Sequence, residues 1–144
     1  MWPELDSPRP DLTIAATGID GLADGFYGYD VVRGEFVRRT GYPDGGVIGR
    51  ACLDQRWAGL AVLKFLFWAD LETQEAVYGP RAYRNLNLAA GRAAQALYLA
   101  AESLGLGACG VGAFYDRELA RACNLDERCA PLYLVSVGPL ASSR

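Results

Sequence analysis

The segment Leu104-Gly105-Leu106-Gly107-Ala108-Cys109-Gly110-Val111-Gly112-Ala113-Phe114 is the part of this 144-residue chain best suited to chemistry through its backbone. Six of its positions are glycine or alanine, so main-chain amides are uncovered there and could approach a planar ligand or an anion closely. Taken alone, the pattern leaves two readings open: a ligand-facing loop, or a glycine-rich turn between two helices. It lacks the Lys-Ser/Thr ending of a phosphate loop. Gly105-Leu106-Gly107 begins like a dinucleotide fingerprint but follows a helical pattern, not a strand. Side-chain chemistry is limited by what is missing. The sequence contains no histidine, which removes Ser-His-Asp and Cys-His nucleophiles, His-ligated zinc or copper, and the usual proton shuttle near neutral pH. Cys52, Cys109, Cys123 and Cys129 form no Cys-x-x-Cys pair and make a poor zinc set without histidine, so no metal is expected and all four are read as reduced thiols.

Charge narrows the partners. With 14 Lys+Arg against 17 Asp+Glu, the formal net charge is −3, the opposite of the clustered basic excess that tracks phosphates, so nucleic acid is excluded as a partner. The longest apolar stretches, Leu60 to Leu63 and Phe65 to Ala69, are interrupted by Lys64 and are too short to span a bilayer. The opening Trp2-Pro3-Glu4-Leu5-Asp6 is mixed and acidic, unlike a secretory leader. A soluble, cytoplasmic protein without membrane association is expected.

The elements that must position the glycine-rich segment can be read from periodicity. Residues 1–11 hold Pro3, Pro8 and Pro10 and are expected to be an extended arm whose order would need a partner surface. Leu12 to Ile19 is rich in β-branched residues, and Phe26–Asp30 with Glu35–Arg39 reads as a hairpin, giving three strands. Gly41 to Gly46 is a loop, followed by a short helix over Val47–Gln55. Ala61–Ala69 is apolar on both faces and ends at Asp70, the pattern of a strand in mid-sheet. From Arg81 to Leu104, apolar residues including Leu86, Ala90, Ala93, Leu97, Ala101 and Leu104 recur at helical spacing, with Gly105 as stop. This is the long core helix, and its alanine-rich face would admit a second helix closely, within the domain or across a dimer. Asp116–Asn124 is a short helix with Asp116 as N-cap, and Pro131–Gly138 is the last strand. The order indicates one α+β domain over residues 12–144, with helices packed on a mostly antiparallel sheet.

A longer pattern surrounds the glycine-rich segment: Tyr78-Gly79-Pro80-Arg81-Ala82-Tyr83-Arg84, then Gly91, Gln95 and Leu97-Tyr98-Leu99-Ala100-Ala101, then Leu104 to Phe114, then Leu132-Tyr133 and Val137-Gly138. This resembles the nitroreductase superfamily. More narrowly it is similar to the SagB-type branch, flavin-dependent dehydrogenases that oxidise azolines to azoles, whose glycine-tyrosine hairpin Asp24 to Asp30 resembles. The resemblance implies a nitroreductase-like α+β fold. It implies FMN as cofactor, with Gly110, Val111, Gly112 and Ala113 beside the isoalloxazine ring, where small residues let the backbone approach. It implies Tyr78 as the catalytic, proton-handling residue, although Val77 stands where the branch carries a lysine. Arg144 matches the C-terminal basic residue that meets the flavin phosphate. The family's N-terminal helices and their phosphate clamp have no counterpart here, so the domain is expected to be incomplete.

Two functions follow from the resemblance. One is an FMN-dependent oxidoreductase acting on a peptide-derived heterocycle or another small organic substrate in a natural-product pathway, as a homodimer or as a heterodimer with a fuller nitroreductase-like subunit. The other is a non-catalytic subunit that scaffolds or recruits a partner dehydrogenase.

Overall fold

The structure, a computed structural model, describes residues 7–141. Six strands form one sheet: β1 (Asp11–Ala16), β2 (Gly25–Asp30), β3 (Glu35–Arg39), β4 (Leu63–Asp70), β5 (Leu106–Val111) and β6 (Cys129–Pro139). Their order across the sheet is β3-β2-β1-β4-β6-β5, and every neighbouring pair is antiparallel. Five helices complete the chain: α1 (Gly45–Ala51), α2 (Arg56–Leu60), α3 (Leu71–Tyr78), α4 (Ala82–Ser103) and α5 (Asp116–Ala122). The α+β expectation holds, and β4 lies in mid-sheet as its apolar run requires.

Both faces of the central strands are covered. Successive strand residues point to opposite faces, and β6 shows the consequence: Leu134 packs with Leu66, Ile48, Ala58 and Leu119 under α1, α2 and α5, while Val135 packs with Phe67, Ala90, Ala94 and Ala101 under α4. Burying each such Leu or Val stabilises the fold by roughly 1.5–3 kcal/mol, so these paired layers anchor the sheet. Between Phe67 and Trp68 the β4–β6 register slips, and β6 passes Leu132 as an extra residue. That irregularity explains how Pro131, which has no N–H to donate, is accommodated in a strand paired on this side. It also turns Leu132 into a third cluster with Ala69 and Leu86.

Lys64 is buried in β4 at 1% exposure. Its Nζ donates to the Ala61 carbonyl at 2.8 Å, Thr17 Oγ1 at 3.2 Å and the Gly59 carbonyl at 3.3 Å. Burial pulls its pKa below the ordinary lysine value. The ammonium therefore ties the end of α2 to the start of β4, instead of breaking the apolar run.

Several expectations change. The glycine-rich segment is neither a loop nor a helix-to-helix turn: Leu106–Val111 is the edge strand β5. Gly107, Ala108 and Gly110 are compatible with a strand because all six residues of β5 pair with β6, Leu106 with Pro139 through Val111 with Leu134. Helices α2 and α3 were not expected. The first is five residues long and the second buries no residue fully, so neither leaves a periodic apolar stripe. Asp70 both ends β4 and caps α3, its carboxylate accepting from the Thr73 N–H at 3.2 Å and the Thr73 hydroxyl at 3.0 Å. Asp116 is the first helical residue of α5, not its cap; Tyr115 is the cap, and its N–H donates to the Ala51 carbonyl at 2.8 Å. In the arm, Pro8 is buried against the chain's own domain, so order at that position needs no partner.

Candidate functional site

β5 is the last strand of the sheet, and α4 lies over the face it shares with β6. Alternation sorts its residues. Val111 turns into the core with Leu66, Leu119 and Leu134, so any part it plays at a ligand is through its backbone. Gly110 faces the α4 side. Its N–H donates to the Tyr98 hydroxyl at 2.5 Å. The Tyr133 hydroxyl stands 1.8 Å from where a Cβ on Gly110 would be, so only glycine leaves room for that phenol. Both phenols reach Gly110, and Tyr133 is held above the ordinary tyrosine pKa first by burial and then by Tyr98 and Cys109. Its hydroxyl therefore stays protonated through the neutral range.

Tyr98 and Tyr133 line a groove of about 280 Å³ with Asn87, Gly91, Ala94 and Gln95. Asn87 donates one amide N–H to the Tyr83 carbonyl at 2.8 Å, which leaves its second N–H and its carbonyl oxygen for other partners. Gly91 has nothing within 4 Å of its would-be Cβ, so the helix surface is open at that point. Among the described residues, those lining the groove are uncharged. The arrangement suits a flat, neutral ring with amide-like edges. An anionic group on such a ligand would need a cation from elsewhere.

The sequence-derived site residues are only partly gathered here. Gly112 and Ala113 follow β5 directly and are exposed; a Cβ on Gly112 would meet the Tyr133 ring at an ordinary 3.8 Å. Tyr78 stands apart from the groove, half-buried at the C-terminal end of α3, which the chain leaves through Gly79 at φ +78°. The registers of β5, β6 and β4 bring the exit of β5 and the start of α3 to the same end of the sheet. Arg144 lies outside the described residues. Tyr98, Tyr133, Asn87 and Gln95 were given no role by sequence reasoning. The available signal was weak: Tyr98 departs from the small-residue run of α4, but its approach to Gly110 depends on how α4 crosses the sheet.

Cys109 is exposed on β5, while Cys52 and Cys123 are buried. Among the described residues no group of three or more His, Cys, Asp or Glu is placed to hold a metal ion, and no helix is long and apolar enough to cross a membrane.

The nitroreductase family profile matches residues 30–139, which takes in β5, β6, α4 and the groove between them. The chain belongs to the nitroreductase family. Within that family it is 34% identical over 128 residues to the nitroreductase homologue MJ1384 of Methanocaldococcus jannaschii, covering 89% of this chain and 64% of the relative. A nitroreductase homologue from Anabaena variabilis superposes with a TM-score of 0.85 at 29% identity, over 92% of this chain but 27% of that one. The chain thus spans less than two thirds of the length of these nitroreductase relatives. The Escherichia coli microcin synthetase McbBCD complex, solved with truncated pro-MccB17 bound, superposes with a TM-score of 0.75 over 92% of this chain and 52% of that one. At 18% identity it speaks for the shared nitroreductase fold alone.

Proposed function

We propose that this nitroreductase-family oxidoreductase uses FMN, held at the exit of β5 and along the groove between α4 and β5. The observation that carries the reading is the exposed backbone of Gly112 and Ala113 beside an uncharged groove walled by Tyr98, Tyr133, Asn87 and Gln95. The neutral donor and acceptor set fits an isoalloxazine ring. In this reading Gly110, Val111, Gly112 and Ala113 give the ring a side-chain-free backbone edge, and Arg144 or a residue of a second chain meets the phosphate. FMN, when bound, supplies the electron sink for the oxidation or reduction, so the protein is left to orient the substrate and handle one proton. Tyr78 is assigned that proton. A phenol is a workable acid or base near neutral pH only when neighbours shift it toward that range, and the substrate or the second chain would complete its surroundings.

The SagB-type resemblance supports a substrate such as a peptide-derived heterocycle in natural-product biosynthesis, and a dimer, with itself or with a fuller nitroreductase-like subunit, supports completion of the cofactor site. The test is an absorption spectrum of the purified chain, alone and after incubation with FMN, in the visible flavin bands. A yellow protein that bleaches with dithionite and recovers colour in air is the expected result. Protein that stays colourless alone, with FMN and in its native complex overturns the cofactor reading.

A second reading, a non-catalytic subunit that scaffolds a partner dehydrogenase, is favoured by one observation. Val77, where the SagB-type branch carries lysine, is an exposed apolar residue, so that position itself supplies no charge to a proton-transfer step. Flavin binding without turnover by any electron donor would select it.

A further inference from the structure

We propose that Tyr98 and Tyr133 are ligand-binding residues of the groove, donating a hydroxyl proton to the neutral, amide-like edge of a flat ring that lies over Gly91. This rests on the reading of the groove as the flavin site, and it assigns the ring's recognition to two tyrosines in addition to the backbone of the glycine-rich segment.

The hydrogen-bond inventory carries the inference. Two phenols bring two donor protons and several acceptor lone pairs. The Gly110 N–H already fills an acceptor position on Tyr98, which leaves the Tyr98 hydroxyl its own proton to donate, and the Tyr133 hydroxyl lies beside the same glycine. A phenol proton is therefore available to a group in the groove that both tyrosines line. Tyr133 keeps its proton because burial favours the neutral phenol, so the pair acts as a donor. Asn87 gives one N–H to Tyr83 and keeps a second N–H and its carbonyl oxygen, and the Gln95 amide can likewise donate or accept. Gln95 and Tyr98 are three residues apart on α4 and so neighbours on its surface. An amide beside a phenol supplies the acceptor and the donor that adjacent N–H and C=O groups of an imide edge take. The opposite requirement, a flat floor, is met by Gly91, whose missing side chain leaves open space above α4. Gly110 has the complementary role: because a Cβ there would strike the Tyr133 hydroxyl, its glycine is what allows the phenol to reach this position.

The experiment titrates the full chain with lumiflavin, the ring without ribityl phosphate, and with FMN, following quenching of flavin fluorescence. Tyr98→Phe and Tyr133→Phe keep the rings and remove only the hydroxyls. Each is expected to weaken lumiflavin about tenfold, the effect of one hydrogen bond, to shift the flavin absorption band, and to leave the thermal midpoint within about 3 °C of the parent. Gly91→Leu, an exposed helix position where leucine is the better helix former, is expected to raise the midpoint while abolishing ring binding. FMN bound with unchanged affinity and unchanged spectrum in both phenylalanine variants overturns the proposal and leaves the cofactor reading standing. Hydroxyl-dependent lumiflavin binding by a chain that gains nothing from the phosphate of FMN has the opposite meaning: the tyrosines stand and the cofactor assignment falls. Binding of neither flavin by the wild-type chain overturns both.

Discussion

At the scale of single residues, the same amino acid has different consequences at neighbouring positions. Gly110→Ala places a methyl group on the Tyr133 hydroxyl. Because that hydroxyl ends a side chain that can swing away, the expected cost in stability is modest, about 1 kcal/mol, but the Tyr98–Tyr133 pair is broken and flavin affinity falls. Gly112→Ala meets only the Tyr133 ring at 3.8 Å and should leave stability nearly unchanged, while the methyl it adds to the proposed flavin-facing edge weakens flavin binding. Parallel urea melts and flavin titrations of the two variants separate these outcomes. The thiols are sorted in the same way. Burial pushes Cys52 up to about 11 and Cys123 up to about 12 from an ordinary 9.0. The unfolded chain releases these protons first as pH rises, so above pH 9.0 it binds fewer protons than the folded chain and stability falls with pH until the folded thiols titrate. Urea midpoints at pH 8 and pH 10 (roughly one unit either side of the free thiol) should show this loss, with a shallower slope in Cys123→Ala. A thiol reagent should label exposed Cys109 well before Cys52 or Cys123.

Among elements, the closest approach is between α1 and α2, which cross backbone to backbone. A Cβ on Gly59 would lie 1.7 Å from the Gly45 carbonyl oxygen. No side chain can yield there, so Gly59→Ala should cost about 3 kcal/mol, read as a lower urea midpoint at constant m-value. Gly91 in α4 is the contrast, because its would-be Cβ meets nothing. Gly91→Ala should stabilise by roughly 0.5–1 kcal/mol through helix propensity alone. Strands β1, β2, β4 and β6, and helix α4, were legible because each buries one or both faces, whereas β3, exposed along its whole length, was legible as the partner of β2 in a hairpin. β5 was not, since glycine and alanine carry little strand preference of their own and the segment is a strand only by pairing with β6.

For the whole molecule, the outer side of α4 is the surface that most needs explaining. Leu88 and Leu99 are 55% and 63% exposed on that helix, one to each side of Arg92. They lie about three turns apart on the same side of α4, where a second chain laid along the helix would cover both, which supports the proposed dimer. Leu88→Glu with Leu99→Glu should halve the mass measured by sedimentation of a dimeric parent, while circular dichroism stays unchanged. Unaltered mass would place the subunit contact elsewhere.

The sequence by itself determined the α+β architecture and a mostly antiparallel sheet, because periodic burial is a local property of a chain, and its resemblance to the nitroreductase family pointed to the candidate segment at Gly110 to Ala113. It also removed histidine chemistry outright. Only the tertiary structure decided that the segment is an edge strand, that Val111 belongs to the core, and that Tyr98 and Tyr133 meet over Gly110. Those facts depend on the crossing of α4 over β5 and β6, which brings together residues 12 and 23 positions apart along the chain. No spacing rule encodes that crossing, since it is fixed by how Ala90, Ala94 and Ala101 seat on Phe67, Val135 and Val137.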